Sequence, residues 1–506
     1  MHHTAITSGL IGMKESTKFA SDVSWVFASQ IVTLGSGFLL NILLSRWLGP
    51  GDFGLYTLTL TIFTVSTLVA GLGIPETVVK YVADYKTDRE RRDAVVTAGV
   101  VNGLLLGTMA GLVLFLFSGE IAALFSIPEL SDLIRITALA VPLSILNTTL
   151  LGLLNGLREM RSYSFRFIIR SILLVVLAVV FILAGFGPAG AVAALLLTEI
   201  GTLAFVATVV HPHFRPSTLN HRETTEKMLA FGSRVFIASA IYLVNTYTDT
   251  LLIGYLLTET DVGRYAVAIM IARVAFLSLP GSISTVNYPA ISEYYSKGLT
   301  SAVEAVINRS IRYCLALLSM MGLVLIYLAG TIIEILFGPS YLPAVPAFIV
   351  LIYGMIVFGA VSSVGPSLSA MNRPGLSSQV NILVAGANVA LDLVLIPLFG
   401  ITGAAAGTAI SCTLLAVLIL NVLHRVFDVR IESVMIAKTF GVVTIFLLAF
   451  FLLQGVLHPY ALAAALTGLY GAYVYRAVLT PSDKIEISGM ITPLLGRIAL
   501  RRLNRR

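Results

Sequence analysis

Fourteen apolar runs, most of them about 20 residues long, constrain this chain more than any other feature of its sequence. A run of that length crosses about 30 Å of hydrocarbon as an α-helix. Because a backbone inside hydrocarbon must satisfy its own hydrogen bonds, each run is predicted to be a spanning helix. The runs lie at residues 22–44, 55–75, 94–117, 133–153, 165–184, 189–210, 229–256, 262–289, 308–329, 345–370, 376–396, 401–423, 434–454 and 458–478.

Composition also indicates a membrane protein. The chain is 57% hydrophobic and 12% charged, whereas soluble domains are about one quarter charged. The two cysteines, Cys314 and Cys412, fall inside apolar runs, so no disulfide framework is predicted. The first 18 residues lack the apolar core of a removable signal peptide, and we predict none.

The formal net charge of +7 could indicate nucleic acid binding, but the placement of the cations favours a membrane surface. If the N-terminus is cytoplasmic, all but four of the 33 Lys and Arg residues fall on the cytoplasmic side. The positive-inside rule therefore predicts a multi-pass protein of the plasma membrane with both termini cytoplasmic and its cations against anionic headgroups. Nucleic acid is not an expected partner. The four exceptions are Arg46, Arg135, Arg264 and Arg273.

Three loop landmarks recur in the same order, with offsets of 209, 211 and 213 residues. So constant an offset predicts a duplicated unit of six helices. Because six is even, both copies enter the membrane in the same direction and are related by an axis along the membrane normal. The matched pairs are Asp52-x-Gly54-x-Tyr56 with Asp261-x-Gly263-x-Tyr265, Gly119–Pro128 with Gly330–Pro339, and Phe186–Ala193 with Phe399–Ala406.

The predicted fold is an all-α polytopic membrane protein of about 14 transmembrane helices. Two parallel six-helix repeats face a central cavity, and a C-terminal helix pair follows them. The predicted segments are a cytoplasmic N-terminal segment (1–21), an N-terminal six-helix lobe (22–210), a cytoplasmic linker (211–228), a C-terminal six-helix lobe (229–423), helices 13 and 14 (424–478) and a basic cytoplasmic tail (479–506).

Two local patterns carry structural predictions. Arg46, Asp52 and the Gly49-Pro50-Gly51 trio predict a short polar hinge between the first two runs. The third run carries a glycine at every fourth position, which predicts close packing against a neighbouring helix. These glycines are Gly99, Gly103, Gly107 and Gly111.

Polar side chains within the first and seventh runs are candidate substrate contacts. Gln30, Thr33, Gly37 and Asn41 are spaced along one helix face of the first run. The seventh run carries Tyr242, Asn245 and Asp249, and Asp249 lies 208 positions after Asn41. Matching polar faces favour a cavity lined by Gln30, Asn41, Asn245 and Asp249, although small polar side chains also join packed helices.

Four charged residues lie deep inside apolar runs, where charge is costly. Arg273 and Asp249 are candidates for the cavity wall, and pairing with each other is the structural alternative. Asp249, Glu199 and Asp392 are candidates for ion coupling. No catalytic residue, cofactor or metal is predicted, because the sequence lacks a GxxxxGK[ST] motif and any His/Cys/carboxylate cluster at metal-ligand spacing.

The hinge stretch Leu43–Tyr56, LLSRWLGPGDFGLY, is similar to the R-x-L-G-P-x-D-F/Y-G-x-Y signature of the polysaccharide transporter family. This family comprises lipid-linked oligosaccharide and O-antigen flippases of the multidrug/oligosaccharidyl-lipid/polysaccharide exporter superfamily. Gly71–Tyr81 and the two Phe-Gly-x-x-Gly-Ala loops add to the resemblance, which spans about the whole chain.

The resemblance implies flipping of a lipid-linked glycan from the cytoplasmic to the outer face, by alternating access and without ATP. It also implies a cationic cavity that accepts the pyrophosphate of the lipid, for which Arg46 and Arg273 are the candidates here. Membrane lipids, the lipid-linked glycan and glycan-assembly enzymes are the expected partners.

Two other functions are weighed against flipping. A multidrug or organic-cation antiporter of the same superfamily would be expected to have twelve spans and more cavity carboxylates. A membrane glycosyltransferase or ligase would need a loop with catalytic carboxylates or a metal site, and the sequence shows neither.

Overall fold

The computed structural model describes residues 2–217, 219 and 221–485, and that part of the chain is helical without a strand. The predicted tail beyond residue 485 lies outside the described residues. The helices are α1 (His2–Gly71), α2 (Ile74–Asp84), α3 (Arg89–Leu116), α4 (Ser118–Leu124), α5 (Leu130–Gly156), α6 (Met160–Leu183), α7 (Gly187–Val210), α8 (His221–Leu256), α9 (Glu259–Ser296), α10 (Thr300–Tyr327), α11 (Ala329–Phe337), α12 (Val345–Ser362), α13 (Ser367–Ala370), α14 (Pro374–Phe399), α15 (Ile401–Phe427), α16 (Ser433–Leu453) and α17 (Pro459–Tyr473).

Twelve of the described helices are long and apolar enough to cross a membrane, so the chain is a multi-span membrane protein. The predicted count of about fourteen is not confirmed. The first two predicted runs are counted as one span of 51 residues, Ser21–Gly71, although its backbone is broken at Gly49. The last run begins with α17, whose 15 residues are fewer than the roughly 20 α-helical residues that span a bilayer, and it continues as a π-helix over Val474–Val478.

A break in the backbone of α1 confirms the predicted hinge. Gly49 has φ 75° and ψ 177°, which lie outside the helical region, and the residues on both sides are helical. Glycine reaches this positive φ without strain. Pro50 follows as the first residue of the second helical segment, where its missing N–H costs no hydrogen bond.

The second Asp-x-Gly-x-Tyr copy also begins a helix. Thr258 precedes α9, and its Oγ1 donates to Asp261 Oδ2 at 2.8 Å and accepts from the Asp261 N–H at 3.3 Å. The Thr258 hydroxyl therefore caps the start of α9. The motif therefore marks the first two turns of a helix, with the acid near the positive helix end and a buried tyrosine, Tyr56 or Tyr265, one turn further on.

Close packing by the glycine ladder of α3 is confirmed. A Cβ at Gly103 would lie 3.1 Å from Ile145 Cγ2, and one at Gly107 would lie 2.9 Å from Pro142 Cα. Both neighbours are on α5. The absence of side chains on this face of α3 therefore lets the two helices approach closely.

The described residues form two compact units. Unit 1 runs to Ala266 and includes Leu336–Ser340, and unit 2 takes the rest of the chain. The predicted six-helix lobes follow the sequence repeat rather than this division, and their boundaries stay a prediction.

In unit 1, α3 holds the segment that leaves the first repeat. The backbone N–H of Arg215 donates to Asp93 Oδ2 at 3.3 Å, and that of Ser217 donates to Thr97 Oγ1 at 2.9 Å. Two acceptors one turn apart on the helix thus bind alternate N–H groups of the segment. We call this arrangement the exit clasp.

Unit 2 contains the same arrangement on α10. The N–H of Arg430 donates to Glu304 Oε1 at 2.7 Å, and that of Glu432 donates to Asn308 Oδ1 at 3.0 Å. These acceptors follow those of α3 by 211 positions, the offset of the second loop landmark. The structure therefore repeats a contact whose residue types differ between the copies.

Arg312, one turn further along α10, joins two later segments of unit 2. Its guanidinium contacts Glu432 Oε1 and Asp483 Oδ2, each at 2.7 Å. Burial by itself would raise the pKa of Asp483, but hydrogen bonds from Thr480 and Arg312 outweigh it and lower that pKa to about 2. The last described residues are thereby fastened to the membrane-spanning part of the unit.

Replacing Asp483 by Asn is expected to destabilise the protein by up to about 3 kcal/mol at neutral pH, since Arg312 loses a buried partner. The folded-state pKa lies below the ordinary value of 3.8, so this stabilisation is present above about pH 4 and lost as pH falls toward 2. The melting temperatures of Asp483→Asn and wild type are compared in detergent at pH 7, 4 and 3. The difference between them should become smaller as the pH falls. A difference that is independent of pH would contradict the assignment.

Candidate functional site

The polar face of the first run lies on α1 before the break at Gly49. Asn41 is half-buried, and its Nδ2 donates to the Gly37 carbonyl at 2.9 Å. Thr33 accepts a hydrogen bond from Ser171 Oγ of α6 at 3.2 Å. Gln30 is exposed. The middle of the stripe therefore joins packed helices, and a cavity role for Gln30 and Asn41 stays a prediction.

Arg46 is exposed near the end of the first segment of α1. Its Nε donates to the carbonyl of Leu336 at 2.9 Å. Leu336 lies in the last turn of α11, where carbonyl groups have no partner within the helix. Arg46 thus binds the C-terminal end of a short helix, an interaction that the sequence pattern did not indicate.

Asp249 is buried on α8 and accepts a hydrogen bond from Tyr265 Oη at 2.5 Å. Tyr265 is the tyrosine of the second Asp-x-Gly-x-Tyr copy. Asn245 is half-buried one turn before Asp249, and Arg273 is half-buried on α9. The structure therefore connects the acid of the seventh run to the repeated motif, while pairing of Asp249 with Arg273 stays a prediction.

Glu199 of α7 is fully buried within a polar cluster that joins three helices of unit 1. Asn147 Nδ2 of α5 donates to Glu199 Oε2 at 2.8 Å. Arg170 Nε of α6 donates to Glu199 Oε1 at 3.0 Å, and Arg166 Nη2 lies 3.9 Å from Glu199 Oε2. We call these four residues the Glu199 cluster.

The Glu199 cluster contains two guanidinium groups and one carboxylate, so it carries excess positive charge. The Arg166 side chain is 5% exposed and that of Arg170 is 28% exposed. The apolar side chains that are exposed on α6 lie in the second half of the helix. They are Ile172, Val176, Val180 and Leu183.

Sequence reasoning missed three members of this cluster. Arg166 and Arg170 counted as cytoplasmic topology cations, and Asn147 was not singled out. The available signal was the spacing of the two arginines, which are four positions apart and therefore share one face of α6. Two cations placed in this way can reach one acid on a neighbouring helix.

Asp392 is fully buried on α14 of unit 2. It packs against Gly407 of α15, where the carboxylate occupies the space of a side chain. Asn388, one turn earlier, is also buried, and its Nδ2 has no hydrogen-bond partner among the described residues. This pair of polar groups is compatible with the predicted role of Asp392 in ion coupling, which stays a prediction.

The model of one protein family, described as "Polysaccharide biosynthesis protein", matches residues 19–295, more than half of the chain. Its match confirms the resemblance carried by Leu43–Tyr56. A relative named as the probable low-salt glycan biosynthesis flippase Agl15 of Haloferax volcanii is 29% identical over 187 residues. The match covers 37% of this chain and 39% of that protein.

Solved structures establish the fold class. The lipid II flippase MurJ, in an inward closed conformation, superposes with a TM-score of 0.72 at 16% identity, covering 94% of this chain and 100% of MurJ. An inward-facing multidrug resistance MATE family transporter superposes with a TM-score of 0.64 at 17% identity, covering 81% of this chain and 98% of that chain. At these identities the similarity shows a shared helical fold.

Replacing Glu199 by Ala is expected to destabilise the protein by about 3 kcal/mol, because the buried guanidinium of Arg166 and the partly buried one of Arg170 lose their counter-ion. The matched control is Glu223→Ala, since Glu223 forms an exposed pair with Lys227 at 2.6 Å and its loss should leave stability near wild type. Thermal unfolding in detergent measures both. Equal, small effects would show that the Glu199 cluster does not stabilise unit 1.

Proposed function

Since this chain belongs to the polysaccharide biosynthesis protein family, we propose that it flips a lipid-linked oligosaccharide or polysaccharide precursor from the cytoplasmic to the outer face of the plasma membrane. The family match over residues 19–295 carries the proposal. A relative named as a glycan biosynthesis flippase and a fold shared with a lipid II flippase support it.

The physical problem in such transport is the head group. Sugars and phosphate are too polar to cross hydrocarbon, whereas the lipid tail is stable there. A polar path open toward lipid lets the head cross while the tail stays in the bilayer. Sugar hydroxyls would bind Gln30, Asn41 and Asn245, and the anionic link would bind Arg273 and Arg46.

The proposed mechanism is alternating access without ATP hydrolysis. The sequence has no phosphate-binding GxxxxGK[ST] loop. Both termini are proposed to be cytoplasmic, as the distribution of Lys and Arg predicts. In that orientation the substrate enters on the cytoplasmic side, where glycan-assembly enzymes would deliver it.

An ion gradient is the proposed energy source, with Asp249, Glu199 and Asp392 as the candidate carriers. All three carboxylates are buried, so binding or release of a cation there changes the charge inside the protein. Asp249 is the favoured carrier, because its hydrogen bond from Tyr265 connects it to the repeated helix start.

A multidrug or organic-cation antiporter is the second candidate, favoured by the fold shared with a MATE family transporter. Expression in cells that lack their own drug pumps separates the two functions. Resistance to cationic drugs without an effect on surface glycan would support the antiporter and contradict flipping.

Replacing Arg273 by Ala is expected to lower glycan export at least tenfold, because the anionic link of the substrate loses its cation. Export is measured as surface glycan in cells that depend on this chain, with the amount of protein in the membrane measured in parallel. Arg234→Ala, which removes an exposed arginine of α8, is the control and should export normally. Normal export by Arg273→Ala would remove Arg273 from the site.

Replacing Asp249 by Asn is expected to change the dependence of transport on pH or sodium, because the side chain can no longer gain or lose a charge. Tyr265→Phe is the matched variant, since it removes the hydrogen bond to Asp249 but keeps the carboxylate. Transport into vesicles under imposed proton or sodium gradients measures the dependence. If Asp249→Asn keeps the wild-type dependence, Asp249 is not the coupling residue.

A further inference from the structure

The two Asp-x-Gly-x-Tyr copies contact each other through their glycines. A Cβ built at Gly54 would overlap the Glu259 carbonyl oxygen and lie 2.9 Å from Gly263 N. A Cβ built at Gly263 would overlap the Pro50 carbonyl oxygen and lie 3.1 Å from Gly54 N. The second segment of α1 and the start of α9 therefore meet backbone to backbone, with no room for a side chain.

This contact is reciprocal. Glu259 follows Pro50 by 209 positions, and Gly263 follows Gly54 by the same number. Exchanging the two copies reproduces the contact, as happens at a local two-fold axis. The same motif position, Gly54 or Gly263, thus approaches the equivalent carbonyl of the opposite copy in both directions. A side chain fits at neither position, so both must be glycine.

The contact joins two helix starts. The α1 partner begins directly after the break at Gly49, and the α9 partner begins at the Thr258 cap. Glycine-to-carbonyl contacts are short but individually weak, and the glycine faces carry no side chain that could interlock. Two helix ends held in this way can separate as rigid bodies without breaking a hydrogen-bonded ladder.

We propose that this contact, formed by residues 50–54 and 259–263 and named here the motif gate, closes one end of the transport path and opens in each transport cycle. The proposal rests on the transport function proposed above. With cytoplasmic termini, the motif gate lies at the outer end. Its two halves belong to the first and second repeats, so its closure brings equivalent helices of both repeats together.

A reversible cross-link tests the gate directly. A Cβ at Gly51 would lie 3.4 Å from Thr260 Oγ1, so cysteines at these two positions are within reach of a disulfide. In a background with Cys314 and Cys412 replaced by Ala, oxidation of Gly51→Cys/Thr260→Cys should lower export at least tenfold, and a reductant should restore it. The single-cysteine variants should export equally in both conditions. Full export by the fully cross-linked protein would overturn the gate.

A second measurement does not depend on glycan transport. Gly54→Ala inserts a methyl group between the backbones, so it should hold the gate open. The reaction of a cysteine at position 260 with a membrane-impermeant thiol reagent added from outside should then accelerate severalfold. Gly35→Ala, where nothing described lies within 4 Å of the added Cβ, is the control and should leave the rate unchanged.

The two measurements separate the hypotheses. If native protein exports no glycan but Gly54→Ala still accelerates labelling, the proposed function fails and the gate stands. If glycan is exported and neither the cross-link nor Gly54→Ala has an effect, the contact is static and the gate is refuted. The cross-link result decides if Gly54→Ala does not fold.

Discussion

Hydrocarbon cannot form hydrogen bonds, and this property of the surroundings determines how the chain treats each of its polar groups. The backbone of the described spans is helical apart from breaks such as that at Gly49, so most of its hydrogen bonds are made within helices. Two buried carboxylates are satisfied by other helices: Glu199 by Asn147 and Arg170, and Asp249 by Tyr265. Burial of a carboxylate is costly and therefore suggests a function, but these two carboxylates also hold neighbouring helices together.

Features that depend on nearby residues could be predicted from the sequence. The helices, the break at Gly49 and the close face of α3 each follow from composition or spacing within a few turns. The partners of Glu199 could not be predicted, because they lie 29 and 52 positions away on other helices. An arginine such as Arg170 also has the same letter whether it faces headgroups or a buried acid, so the sequence alone does not distinguish the two.

The duplication is visible at two levels that sequence comparison treats differently. The Asp-x-Gly-x-Tyr copies keep their glycine because the backbone contact leaves no room for a side chain at that position. The exit clasp keeps its geometry while its letters change, from Asp93 and Thr97 to Glu304 and Asn308. Any side-chain oxygen of suitable reach can accept a backbone N–H. Conserved steric contacts therefore leave a trace in the sequence, whereas conserved hydrogen bonds need not.

The exit clasp also bears on how such a chain can be assembled. In each repeat, the third spanning helix, α3 or α10, binds the backbone segment that leaves the repeat. The parts of the chain that follow this segment contribute nothing to the contact. After the first copy comes a connector to the second, and after the second comes the pair α16 and α17. A repeat whose last segment is held by its own helix can be fused to a second copy or extended, because added segments attach beyond the exit clasp and leave the packing inside the repeat unchanged.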